Sequence, residues 1–295
     1  MMNTSLTLNS EIKIHPPCMT KEIIEILEPY KRKVIVDATF GTGGHSLEII
    51  KNTKGNLFAF EVDPFLYERA KKILKEFENT KIFNKSFTEI PNVLKEEKIE
   101  KIDGIIFDFG VSFYHISSSK RGFSFKKNEI LDMRYNPLVD EPLYKKIKKL
   151  NISELEDILK NYGELKNYKK IAINIFKKLR AREIKYTEEL NEAILDKIRG
   201  NKEKILQKVY QAFRIWINDE IKNIQTVFSF LPQIIEKGGR VIFLSYHSIE
   251  DRLVKNFLKN KEFKILTKKP LLPTEEEIKL KPNCRSCKLR AAEKL

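Results

Sequence analysis

The stretch from Val34 to Ile50, VIVDATFGTGGHSLEII, constrains the fold more than any other part of the chain. Val34, Ile35 and Val36 read as a short buried strand, and the apolar spacing of Leu47, Ile49 and Ile50 after Ser46 reads as a helix start. Gly41 and Gly43 between them allow a tight turn and close backbone approach. A strand, a glycine turn and a helix opening make a cradle whose unpaired N–H groups face a polar ligand. Strand-like runs follow at 56–63, 81–87 and 102–110, separated by charged helical stretches such as 64–77. This alternation predicts an α/β fold with a parallel sheet. The next comparable strand, 238–245, is far down the chain, so a segment is inserted between the fourth and fifth strands.

The insertion has its own pattern. Ser153 followed by Glu156 reads as a capping box opening a helix that Gly163 ends. A second helix over 167–180 puts Ile171, Ile175, Phe176 and Leu179 on one face, with Lys169, Lys170, Lys177, Lys178 and Arg180 elsewhere on its surface. A third begins at Thr187. One long amphipathic helix, 203–230, is expected to carry Val209, Phe213, Trp216, Ile217, Ile224 and Phe228 back to the sheet. The predicted organisation is a sheet domain in two parts, 11–112 and 204–295, around a small basic α-helical subdomain at 113–203.

Charge narrows the partner. Lys and Arg number 56 against 41 Asp and Glu, a net charge of +15, which fits a polyanionic partner as well as a lysine-rich proteome. No apolar run approaches the length of a membrane span, and the N-terminal stretch lacks a secretory apolar core, so a cytoplasmic protein is expected. The cysteines, Cys18, Cys284 and Cys287, are too few for a disulfide framework and fit a reducing compartment. Cys284-x-x-Cys287 lacks the four ligands a structural zinc needs, so no metal is expected.

The turn itself discriminates between cofactors. A dinucleotide fingerprint needs a third glycine, where this chain has Ser46. Asp37 ends the first strand and Glu61 the second, 18 residues beyond Gly43. A carboxylate at Asp37 repels pyrophosphate but pairs with an ammonium group, although a turn acid reads the same way. Glu61 is placed to accept from ribose hydroxyls.

Seven blocks then occur in order: HPPCMTKEI, DATFGTGGHS, DGIIFDFGVS, RGFSF with LDMRYNP, YQAFRIWINDE, GGRVIFLSYHSIEDRLVKNF and RSCKLRAAEK. With these the chain resembles the bacterial small-subunit rRNA cytosine-N4 methyltransferases of the RsmH/MraW type, along nearly its whole length. The resemblance implies a Rossmann-like S-adenosylmethionine (SAM)-dependent methyltransferase sheet with an inserted helical subdomain. It implies methylation of a cytosine N4 in 16S rRNA, in the decoding region, with rRNA or the assembled 30S subunit as partner and no membrane. It leaves the oligomeric state open, a dimer included. Matched by position, the family's SAM contacts fall on Gly43, Gly44 and His45, on Glu61 for the ribose, on Phe87 near the adenine, and on Asp108. A further contact, usually Gln, falls on His115, because the common GVSSPQ has become GVSFYHI.

Methyl transfer to an exocyclic amine needs in-line geometry and an acceptor for the amine's proton. Asp108, at the end of the fourth strand, either orients SAM or accepts from the amine; DFGVSFY there replaces the compact DNA-methyltransferase motif. His247 follows the fifth strand in SYHSIED, with Ser245, Glu250 and Asp251, and is expected to face Asp108 across one cleft. It reads either as a base or proton contact or as a structural loop histidine, and Asn218 either as a base-edge reader or as a buried tether. RSCKLRAAEKL is expected to form a terminal strand offering Arg285, Lys288 and Arg290 to phosphates, while Arg121, Phe123 and Arg134 line the cleft or the RNA path. The rival readings are an NAD oxidoreductase and a non-catalytic RNA binder.

Overall fold

The computed structural model describes residues 17–295; the N-terminal stretch, with residues 11–16 of the first expected segment, lies outside them. Among the described residues one sheet contains seven strands: β1 Val34–Asp37, β2 Asn56–Phe60, β3 Thr80–Phe83, β4 Ile102–Asp108, β5 Ile235–Ser245, β6 Phe263–Ile265 and β7 Lys288–Lys294. Their order is β3-β2-β1-β4-β5-β7-β6. The first five run parallel, and β7 lies antiparallel between β5 and β6. The chain therefore reverses direction across the sheet between β1 and β4, where the carboxyl ends of neighbouring strands open a crevice.

The strands are apolar on both faces because helices cover both. Ile35, Leu57, Ile106 and Ile242 pack with Ile23, Leu27, Ile49 and Ile73 on one side. Their neighbours Val36, Phe58, Phe107 and Phe243 pack with Val93, Leu94, Val227 and Leu231 on the other. This period of two is what a doubly covered parallel sheet requires.

A third core belongs to the insertion, where Leu155, Leu159, Ile171, Ile175, Leu190 and Ile194 meet. It corrects the expectation of one helix over 203–230. Two helices, Lys202–Ile217 and Glu220–Ile234, are separated at Asn218 and Asp219, and Asp219 is left-handed at φ 51°. Val209, Phe213 and Ile217 accordingly enter the helical core, and only the second helix, through Val227 and Leu231, packs against the sheet. The capping box also differs from expectation. Asn151 starts the helix Ile152–Asn161, accepting from Glu154 N at 3.0 Å while Glu154 accepts from Asn151 N at 2.8 Å. Ser153 and Glu156 fall inside that helix, since an Asn cap two residues earlier is as good a start as Ser.

Two expectations at the chain's end change. The terminal strand forms as β7, and Arg290 and Lys288 both reach Asp251, at 2.7 and 3.3 Å, which buries Arg290 within the fold while Lys288 stays partly exposed. Cys18 and Cys284, 266 residues apart, form a disulfide, and Cys287 stays free and buried. No helix of the described residues is long and apolar enough to cross a membrane.

Candidate active site

A cavity of about 730 Å³ opens at the carboxyl ends of β1, β2 and β4. Its floor is the glycine turn. Gly41 and Gly43 have φ 55° and 89°, in the left-handed region, and a Cβ on Gly43 would stand 2.6 Å from the buried Phe40 ring. The turn thus folds over Phe40 as only glycine permits. The following helix, Gly44–Lys51, has Pro17 against its first residue, so its N-terminus is partly covered rather than open to a phosphate.

Two buried carboxyls, Asp37 and Glu61, and the partly buried Asp108 surround the turn. Asp37 accepts from Ser46 Oγ at 2.6 Å and Thr39 N at 3.0 Å. Glu61 accepts from Gly41 N and Asp63 N, each at 2.8 Å. Asp108 accepts from Gly110 N at 2.9 Å and from the Tyr246 hydroxyl at 3.4 Å. Burial raises all three carboxyls above their ordinary range, Glu61 to about 8, with the hydrogen bonds opposing the rise. Lys85, Arg134 and Arg214 also line the cavity, Arg134 paired with Asp132 and Arg214 with Glu220.

His45 donates Nε2–H to the Cys18 carbonyl at 2.9 Å, and its Nδ1 lies 3.7 Å from Asp108 Oδ2. Phe87 lines the cavity, edge-on to Phe107 and Phe109. His115 is 4% exposed; its Nε2 lies 2.9 Å from Asp63 Oδ2, while its Nδ1 has no hydrogen-bond partner and the residue lines the cavity. Burial lowers the pKa of His115 despite Asp63, so the ring presents a neutral acceptor there. Gly44, His45, Glu61, Phe87, Asp108 and His115 thus all line the same cavity, with Gly43 forming the turn beneath it.

The family model for the MraW methylase family matches residues 12–295. The chain belongs to the MraW methylase family. It is 38% identical over 288 residues to the ribosomal RNA small subunit methyltransferase H of Thermosipho africanus, covering 95% of this chain and 98% of the relative. It is also 38% identical over 300 residues to the protein of that name from Brachyspira hyodysenteriae, covering 97% and 99%.

In this MraW-family chain His247 does not meet Asp108 across the cleft. It is the N-cap of helix Ser248–Phe257: Nδ1 accepts from Glu250 N at 3.4 Å, Glu250 accepts from the His247 backbone N–H, and His247 is not among the cavity-lining residues. The residue that reaches Asp108 from this loop is its neighbour Tyr246, which sequence reasoning missed, although SYHSIED places it first after β5. Asn218 is a tether. Its Oδ1 accepts from Tyr135 N, and its Nδ2 donates to the Met133 and Arg214 carbonyls, which ties the LDMRYNP loop to the helix break.

Arg134 lines the cavity, as expected, while it pairs with Asp132, and Arg121 pairs with Asp63. Glu220, His247 and Glu250 bring possible metal-ligand atoms within 4.8 Å of one another. Arg214, however, donates to both Glu220 oxygens, at 2.8 and 3.0 Å, which makes this an internal ion-pair cluster. The cavity wall opposite the sheet comes from Pro17, Cys18 and Asn283, chain ends that the disulfide joins.

Proposed function

We propose that this methylase uses SAM to methylate the N4 amine of a cytosine in small-subunit rRNA, in the decoding region, with the 30S subunit or its rRNA as substrate and the cytoplasm as its place of action. The carrying observation is the set of carboxyls, Asp37, Glu61 and Asp108, around a glycine turn. A cationic ligand draws these groups, raised by burial, into their charged form and pairs with them, whereas a pyrophosphate gains nothing from them. The family membership and the names of the relatives support the choice of rRNA.

When bound, SAM supplies an electrophilic methyl group on a positively charged sulfur. Gly43, Gly44 and His45 would give the cofactor a close backbone surface, Glu61 would accept from its ribose hydroxyls, and Phe87 would pack against its adenine. His115, with its free Nδ1 acceptor lining the cavity, would offer the cofactor a hydrogen-bond acceptor. Asp108 orients the cofactor or accepts from the target amine, and the cavity continues past it to Tyr135, Asn136 and Asn223, which leaves room for a base. The chain's contribution is positioning and charge complementarity.

The reading is tested by calorimetry with SAM and with NAD, and by mass spectrometry of small subunits incubated with the protein and SAM. SAM binding without NAD binding, together with N4-methylcytosine in the product, is the expected result. NAD binding, or a methyl group on another nucleotide atom, overturns it.

A further inference from the structure

Asp108 carries more of the site than its neighbours, because it alone lies at the end of a central strand with the cavity on one side and several elements packed on the other. The groups that face it are Asp37 from β1, His45 from the glycine-turn helix, Tyr246 and Glu250 from the loop and helix after β5, and Cys287 from the C-terminal segment. Three of these are acids or a buried thiol, which do nothing to hold a carboxylate in its charged form.

The hydrogen-bond donors divide cleanly. Oδ1 accepts from Gly110 N at 2.9 Å. Oδ2 has two candidate donors, His45 Nδ1 at 3.7 Å and Tyr246 Oη at 3.4 Å. A carbonyl can only accept, so His45 must place a proton on Nε2 to meet Cys18 O. His45 Nδ1, at 3.7 Å, stands beyond hydrogen-bond reach of Oδ2 and acts on Asp108 through charge alone. Tyr246 remains as the side-chain donor to Oδ2. Its own hydroxyl is held protonated by burial and by the adjacent Asp108 charge, so it donates throughout the working range. The ring is fixed in place: Gly110 has no room for a side chain because a Cβ there would meet Tyr246 Cε2 at 2.6 Å and Asp108 Oδ1 at 2.9 Å.

We propose that Tyr246 is a positioning residue for the methyl transfer, donating its hydroxyl hydrogen to Asp108 Oδ2 and so keeping that carboxylate ionised and turned toward the cavity. This deepens the cofactor reading above and rests on it only for its effect on turnover. The clamp itself belongs to the free protein. Removing the donor leaves Asp108 with burial and acidic neighbours and one backbone N–H, so the carboxyl picks up a proton at a higher pH. At neutral pH a protonated Asp108 lacks the charge that attracts a cationic ligand and cannot take a proton from an amine.

The test is a carbon-13 NMR titration of aspartate carboxyls in the free protein, with the Asp108 signal assigned by its loss in Asp108→Asn. In Tyr246→Phe the Asp108 midpoint should rise by about one pH unit, the size expected for one hydrogen bond to a charged group. The acidic limb of kcat/KM for methylation should rise with it. Should the Phe variant fold poorly, 3-fluorotyrosine at position 246 keeps the ring and strengthens the donor, and the midpoint should then fall. An Asp108 midpoint unmoved by either change overturns the proposal, whereas a normal shift in a protein that binds no SAM overturns only the cofactor reading.

Discussion

Residue by residue, the site is governed by what burial does to carboxylates. Glu61 has a folded pKa of about 8 against an ordinary 4.5, chiefly from burial, with the Asp63 and Asp37 charges adding to it. The sign follows from linkage: a raised carboxyl stabilises the free protein fully below about 4.5, and that contribution is lost as pH rises to about 8. A cationic ligand reverses the preference, because it favours ionised Glu61. SAM affinity should therefore rise by up to about tenfold per pH unit toward pH 8, with proton release on binding. In Glu61→Gln the affinity should drop and this slope should flatten, as read by calorimetry in buffers of different ionisation enthalpy. A slope retained in the variant would assign it to another group. Glu61 was legible as a site residue from its spacing to the glycine turn; its protonation was not, since that depends chiefly on how deeply the fold buries it.

At the scale of elements, caps and breaks decided what periodicity left open. His247 shows the difference. Its position after a strand and before an apolar helix is shared by catalytic and capping residues, and the hydrogen bonds at the start of Ser248–Phe257 identify a cap. His247→Ala should cost about 1 kcal/mol of stability, and His247→Asn, whose side chain also caps, should recover it with turnover intact. Denaturant melts and single-turnover rates measure both. A rate loss above about 100-fold in a fully stable Asn variant would return the imidazole to proton transfer. The break at Asp219 escaped the sequence for a related reason. The apolar spacing runs on through 203–230, and only the Asn218 amide, bonded to the LDMRYNP loop, marks where the chain turns from one core to the other.

For the molecule as a whole, the disulfide is the long-range tie that composition argued against. Cys18 and Cys284 join the two chain ends beside the cavity, where Lys281 Nζ also bonds the Pro17 carbonyl at 2.7 Å and Glu277 accepts from Met19 N at 2.7 Å. Cys18→Ser or Cys284→Ser should lower stability by about 2 to 4 kcal/mol under non-reducing conditions, and reductant should bring the wild type down to the same level. Cys287→Ser should keep the reductant response. A melting temperature indifferent to reductant would mean that the two thiols are not bonded in solution.

The sequence alone determined the order of the first five strands, the place of the insertion between the fourth and fifth, and the glycine turn with Asp37, Glu61 and Asp108 at strand ends. All of these are local: periodicity, turn chemistry and strand boundaries are written in neighbouring residues. Tertiary structure decided what depends on residues meeting across the chain. It set Tyr246 rather than His247 against Asp108, paired Arg121 with Asp63 and Arg290 with Asp251, and bonded Cys18 to Cys284. Burial and partnership are properties of the packed molecule, and they determine whether a charged or polar side chain is a tool or a tether.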